Sequence, residues 1–167
     1  MKKLLLLLLS ATLIACDSDD DNTPNRSSEN IEVSIDGGTP QPYKMNIEAR
    51  FIPLPPTSGF MGYFVIDSSN GTDAFHLELP RTIQSDYTAP YTVTITNPVL
   101  INSVLTIEGV DIDYANTTNT VTLQLQQYGN VGQQVVLDVN GTYFDSSNAQ
   151  HSIAIAIDVE RDPFTNP

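Results

Sequence analysis

From Ile31 onward the apolar residues recur at every second position, and they are mostly Val, Ile, Tyr, Phe and Thr with turn-forming residues between the runs. This period belongs to strands. Tyr43, Met45, Ile47, Ala49 and Phe51 alternate with Lys44, Asn46, Glu48 and Arg50, which predicts a strand with one buried and one wet face. Ile31, Val33 and Ile35 behave the same way, as do Tyr91, Val93 and Ile95 between threonines, and Val121, Leu123 and Leu125 against Thr122, Gln124 and Gln126. The run Phe60 to Ile66 is apolar on both faces and belongs centrally in a sheet. No stretch carries a helical stripe.

Four features add detail. Leu105 and Ile107 lie in one phase and Val110, Ile112 and Tyr114 in the other, so a β-bulge at Glu108-Gly109 is expected to restore a single buried face. Asn140-Gly141 is normally a strong hairpin signal, but a turn there would leave only Thr142 to Asp145 as a return strand. A continuous strand from about Gln134 to Phe144, paired with Gln150 to Glu160 across D-S-S-N-A, matches the lengths better. The tetrapeptide D-S-S-N occurs after Ile66 and again after Phe144, and each copy is read as a hairpin turn. The prolines of Pro53 to Pro56 cannot donate to a ladder and mark a stiff loop or an edge.

About nine short strands separated by turn signals predict an all-β fold. The expected architecture is an antiparallel β-sandwich, immunoglobulin-like, because the apolar faces are narrow and the outer faces are rich in Thr and Gln.

Composition narrows the function. The 167 residues include 20 Asp or Glu and 7 Lys or Arg, a formal charge of −13. Nucleic acid is excluded as a partner, since phosphate neutralisation needs clustered Lys and Arg. A spanning bundle is excluded too, because the one long apolar run is about half the ~20 residues a membrane helix requires. The single cysteine, Cys16, leaves no disulfide framework and no Cys-rich zinc site.

That cysteine closes a distinctive start. Met1-Lys2-Lys3 is a positive n-region, and Leu4 to Leu9 with Ser10, Ala11, Thr12, Leu13 and Ile14 form a short apolar h-region before the small Ala15. The tetrapeptide Leu13-Ile14-Ala15-Cys16 resembles the lipobox of bacterial lipoproteins. The resemblance implies diacylation of the Cys16 thiol, cleavage before it and acylation of the new N-terminus. Two or three acyl chains, at ~0.8 kcal/mol per buried CH₂, make an effectively permanent anchor. Cleavage leaves 20 acidic against 5 basic side chains, with Lys44 the remaining lysine.

Residues 17–30 contain no apolar side chain, so they cannot offset their ordering entropy and are expected to form a disordered tether. Fourteen extended residues reach at most about 50 Å. The cluster Asp17, Ser18, Asp19, Asp20 and Asp21 resembles the export signal that sends some Gram-negative lipoproteins to the cell surface, whereas an Asp directly after the cysteine marks inner-membrane retention in other systems. The cluster as a whole favours surface display. The expected organisation is a signal peptide over 1–15, a lipidated cysteine and acidic tether over 16–30, one sandwich domain over 31–162 and a tail over 163–167. The C-terminal hairpin, with Gly141, Thr142, Tyr143, His151 and Arg161, loosely resembles that of uncharacterised β-rich outer-membrane lipoproteins, which implies a fold and an anchored life but no activity.

Candidate chemistry is thin. His76 falls in phase with Ala74 and Glu78 on the wetter face, and His151 starts the last strand in phase with Ile153 and Ile155. No G-x-S-x-G elbow is present, and no catalytic residue is assigned. Asp67, Ser69, Gly71, Asp73 and Glu78 superficially match a calcium loop, but the glycine is one position early, so a hairpin turn is preferred and no metal site or cofactor is assigned. Asp111 and Asp113 share an expected strand face and read as solvated. Glycan binding commonly relies on exposed aromatic platforms, and the chain has no Trp; Tyr63, Tyr87, Tyr114 and Tyr128 are better read as packing residues. The expectation is therefore a non-enzymatic, lipid-anchored outer-membrane protein, facing outward, that acts as an interaction or accessory module for an unknown protein or glycan partner. The alternative is a glycan- or calcium-dependent ligand-binding protein.

Overall fold

A computed structural model of the chain describes residues 29–83 and 86–164. The expected signal segment, Cys16 and the Asp17–Asp21 cluster lie outside the described residues. Among the described residues, no helix is long and apolar enough to cross a membrane.

The fold is an all-β sandwich of two antiparallel sheets, as the alternation predicts. Ten strands are present among the described residues: β1 (Asn30–Ile35), β2 (Gln41–Pro42), β3 (Met45–Pro53), β4 (Gly62–Ser69), β5 (Ala74–Glu78), β6 (Tyr91–Ile95), β7 (Leu105–Ile107), β8 (Thr120–Tyr128), β9 (Gln134–Phe144) and β10 (Gln150–Glu160). The large sheet runs β2-β1-β10-β9-β8-β6 and the small one β3-β4-β5-β7. The extra strand relative to the expected nine is accounted for by the two-residue β2, too short to show a period. β1 begins at Asn30, and Glu29 is buried with its Oε1 accepting from the Glu160 amide at 3.0 Å, so the packed body includes residues before the expected Ile31.

The buried phase is the one read from the sequence at most positions; Met45 is a correction, since a register shift between Met45 and Glu48 breaks the alternation of β3 and leaves its side chain exposed. Ile31 and Val33, Val121 to Leu125, Val135 to Val139 and Ile153 to Val159 pack at alternate positions against Ile47, Ala49, Phe64, Ile66, Phe75 and Leu77 from the small sheet. β4, apolar on both faces, sits between β3 and β5.

β9 is continuous through Asn140-Gly141 and pairs with β10 from Gln134↔Glu160 to Phe144↔Gln150. Gly141 serves a close approach: a Cβ there would sit 2.2 Å from the Thr120 carbonyl oxygen on β8. Thr142 meets Thr120 hydroxyl to hydroxyl at 3.1 Å. Arg161 stacks its guanidinium 4.7 Å over Tyr128, and its Nη1 donates to Asp86 at 2.9 Å, which ties the end of β10 to the β8 strand and the loop before β6.

Three further sequence expectations are corrected. The Glu108-Gly109 feature is a turn that ends β7, not a bulge inside a strand: Gly109 has φ +81° and the Val110 amide donates to the Ile107 carbonyl, so residues 110–114 leave the sheet. The first D-S-S-N is mostly strand, with Asp67 to Ser69 in β4 and the turn displaced to Asn70–Asp73; Asn70 Oδ1 accepts from the Thr72 and Asp73 amides. A helix is also present. α1 (Pro98–Val104) has Asn97 as its cap, accepting from the Val99 amide at 3.0 Å, with Pro98 at the first helical position. Only Ile101 and Val104 are buried, and two points cannot establish a stripe. The helix links β6 in one sheet to β7 in the other.

The registers define two poles. Asn30, Asp158 and the 129–133 turn share one end, because Asn30 pairs with Asp158 and Tyr128 with Val135. At the opposite end are Ile35 and the turns after β1, β4, β7 and β9.

Candidate functional site

Four turns at this second pole enclose a cleft of about 550 Å³ between the sheets. Each turn is fixed by its own polar residues. After β1, the chain reverses through Asp36 (φ 51°) and Gly37 (φ 67°), and the Asp36 carboxylate reaches β10: Oδ1 accepts from the Ser152 amide and Oδ2 lies 2.7 Å from His151 Nδ1. After β9, Asp145 Oδ1 accepts from the Ser147 and Ala149 amides at 3.0 and 2.7 Å, while Oδ2 is 3.3 Å from His151 Nε2. After β4, the Asn70 turn presents Asp73. After β7, Glu108 Oε2 accepts from the Ala74 amide, and Gly109 approaches so near that a Cβ would lie 3.1 Å from Asp73 Cγ.

The walls are apolar and aromatic, from Val33, Ile35, Val110, Tyr43 and Tyr143. The rim is acidic, with Asp73, Glu108, Asp111 and Asp145; no Lys or Arg is among the lining residues. His151 is the one basic group. It stacks on Tyr143 with ring centroids 5.2 Å apart, and both its nitrogens face carboxylates. That arrangement favours the imidazolium: hydrogen bonds to Asp36 and Asp145 hold the His151 pKa above its ordinary value. Asp36 is lowered in turn, chiefly by His151, and Asp145 falls to about 2 through its bonds to the Ala149 amide and the Ser147 side chain.

Tyr43 is 1% exposed and Tyr143 6% exposed, and both line the cleft. Burial raises both phenol pKa values, with the negative charge of Asp73 adding to the first and those of Asp36, Asp145 and Asp111 to the second. Neither hydroxyl is hydrogen-bonded to a group among the described residues.

The other candidates from the sequence disperse. His76 sits on the outer face of the small sheet, its Nδ1 2.7 Å from Asp67 Oδ1 on the neighbouring strand, far from His151 at the pole of the large sheet. The calcium-loop positions do not converge: Asp67 and Ser69 are strand residues, Asp73 lines the cleft and Glu78 lies on the other strand of the hairpin. Among the described residues, no group of three or more His, Cys, Asp or Glu could hold a metal ion. Asp111 and Asp113 are not on a strand; Asp111 accepts from the Ser146 amide and hydroxyl, and Asp113 from the Ala115 amide. Tyr87 and Tyr128 pack together with Phe51 and Phe64, Tyr114 donates to the Leu105 carbonyl, and Tyr63 lies under Arg81. No aromatic platform results. The residues that do gather, Tyr43, Asp73, Glu108, Tyr143 and Asp145, come from four separate segments. Their only common signal in the sequence is proximity to turns.

The geometry therefore defines an all-β sandwich with an acid-rimmed, tyrosine-walled cleft at one pole. No family model, curated protein or solved structure matches the chain.

Proposed function

We propose that the protein is a lipid-anchored, non-enzymatic binding module of the bacterial outer membrane, facing outward. The observation that carries this reading is the polarity of the sandwich. The chain enters β1 at the pole opposite the cleft. With ~3.3 Å per residue, the eleven residues of β9 hold the two poles about 35 Å apart. An acyl group on Cys16 would therefore join the bilayer to the entry pole, and a tether reaching up to about 50 Å would let the cleft at the far pole stand clear of the bilayer, open to a ligand.

A binding role is favoured over catalysis because the cleft histidine has both ring nitrogens committed to carboxylates and therefore offers no free base. Its partners are acceptors that favour its charged form, and no Ser, Thr or Cys side chain is hydrogen-bonded to it among the described residues.

Fractionation of cells expressing the Cys16→Ala variant tests the anchor. The variant is expected in the soluble fraction while the parent partitions with membranes, and an unchanged distribution overturns the reading. Protease treatment of intact cells tests orientation: digestion of the sandwich supports outward display, and protection reverses it.

A further inference from the structure

We propose that the cleft binds an organic cation: a primary ammonium group carried on a short aliphatic stem. The assignment deepens the binding-module reading and rests on it only for the direction the cleft faces.

Three features of the cleft select this chemistry. The rim holds four carboxylates, Asp145 among them, against one histidine whose other nitrogen already faces Asp36, so the field at the mouth favours positive charge. The walls beneath it are apolar, which suits a methylene stem and gives nothing to a hydrated inorganic ion. Two phenol hydroxyls, on side chains more than nine-tenths buried, open on the cleft without a partner. Both oxygens stay accessible from the cleft, free to accept from a ligand. An ammonium has three donors to place, and a carboxylate such as Asp73 together with the two phenol oxygens offers three acceptors. The tyrosine rings add a cation–π attraction.

A divalent metal fits less well. Hard cations need six or more converging oxygens, whereas Glu108, Asp111 and Asp145 each use an oxygen to fix a neighbouring turn. The volume of about 550 Å³ exceeds what an ion requires and lies within the range of small-molecule sites.

The same ammonium could arrive on a free diamine or on a lysine side chain of a partner protein, so the experiment has an arm for each. Calorimetric titrations use the detergent-solubilised full chain with cadaverine, with a short blocked peptide containing lysine, with the same peptide containing norleucine, and with calcium chloride. Binding of cadaverine or the lysine peptide, with no binding of the norleucine peptide, is expected. Binding of cadaverine alone identifies a free amine as the source, and tighter binding of the peptide identifies a protein side chain.

The paired substitution Tyr43→Phe with Asp73→Asn keeps the volume of the walls while removing a carboxylate and a hydroxyl. It is expected to weaken the cation at least about tenfold, the scale of one lost charge-assisted hydrogen bond, with an unchanged melting temperature. Glu48→Gln, on the exposed face of β3, is expected to change nothing. Calcium binding without organic-cation binding, equal binding of the norleucine peptide, no binding of any ligand, or an unaffected double variant each overturns the proposal. These outcomes are separate from those of the Cys16→Ala fractionation, so the anchor and the ligand fail independently.

Discussion

Replacing Gly141 with alanine should open the large sheet at its centre. The added Cβ would lie 2.2 Å from the Thr120 carbonyl oxygen and 3.2 Å from the Val121 Cα, both backbone atoms that cannot rotate away. A carbon–oxygen contact of this kind relaxes to about 3.3 Å or more, so β8 and β9 must part by about 1 Å there. Overpacking of this order costs about 1–3 kcal/mol. Loosening one ladder hydrogen bond beside the Val121↔Gly141 pair adds about 1 kcal/mol. The restricted unfolded chain returns about 0.4–1 kcal/mol, leaving a net destabilisation of about 1–3.5 kcal/mol. For a domain of this size that lowers the melting temperature by about 3–15 °C. Urea unfolding followed by circular dichroism should show a lower midpoint with an unchanged slope. Asn140→Ala provides the contrast, since Asn140 is exposed on a continuous strand and should shift stability by less than about 0.5 kcal/mol. Had Asn140-Gly141 formed a primed turn, the asparagine would have needed a positive φ and its replacement would be costly. A Gly141→Ala midpoint equal to that of the parent, or a large loss in Asn140→Ala, refutes the argument.

Other expectations follow from the same contacts. Asn119 is 1% exposed, its Nδ2 donates to the Asp113 carbonyl and its Oδ1 accepts from the Phe144 amide, so Asn119→Ala should cost about 1–3 kcal/mol in urea unfolding by leaving the Phe144 amide unpaired, while the Asp113 carbonyl keeps the Asn116 amide. Phe64→Ala, at a fully buried position in β4, should cost about 3–5 kcal/mol by the same measurement. The Asp36–His151–Asp145 cluster should give stability a plateau. Its carboxylates sit below their ordinary 3.8, so their contribution is complete above that pH and is lost as pH falls through the lowered values. His151 is raised above 6.5, so its contribution is complete below that pH and fades as pH climbs through the raised value; His76, raised chiefly by Asp67, adds to the same alkaline limb. Thermal melts across pH should therefore peak between about 4 and 6.5, and a His151→Gln variant should flatten the alkaline side.

The C-terminal hairpin shows how far the pattern could be pushed. Strand lengths alone decided against a turn at Asn140-Gly141, because a four-residue return strand could not balance the long run before it. The reason a glycine is needed there was not legible, since the atom it avoids belongs to Thr120, on another strand. D-S-S-N makes the converse point. The same four residues turn the chain at Asp145 and continue a strand at Asp67, where pairing with His76 on β5 outweighs the local preference.

The sequence by itself determined the strand class, the buried phase of most strands and the resemblance of the N-terminus to a lipobox, because period-two burial and a short signal are local properties of the chain. Only the tertiary structure decided that the turns after β1, β4, β7 and β9 meet, that His151 bridges Asp36 and Asp145, and that two tyrosines wall an acid-rimmed cleft. Alternation states which side of a sheet a residue occupies, while the partners across a pole are set by strand order and register, which couple residues more than a hundred positions apart.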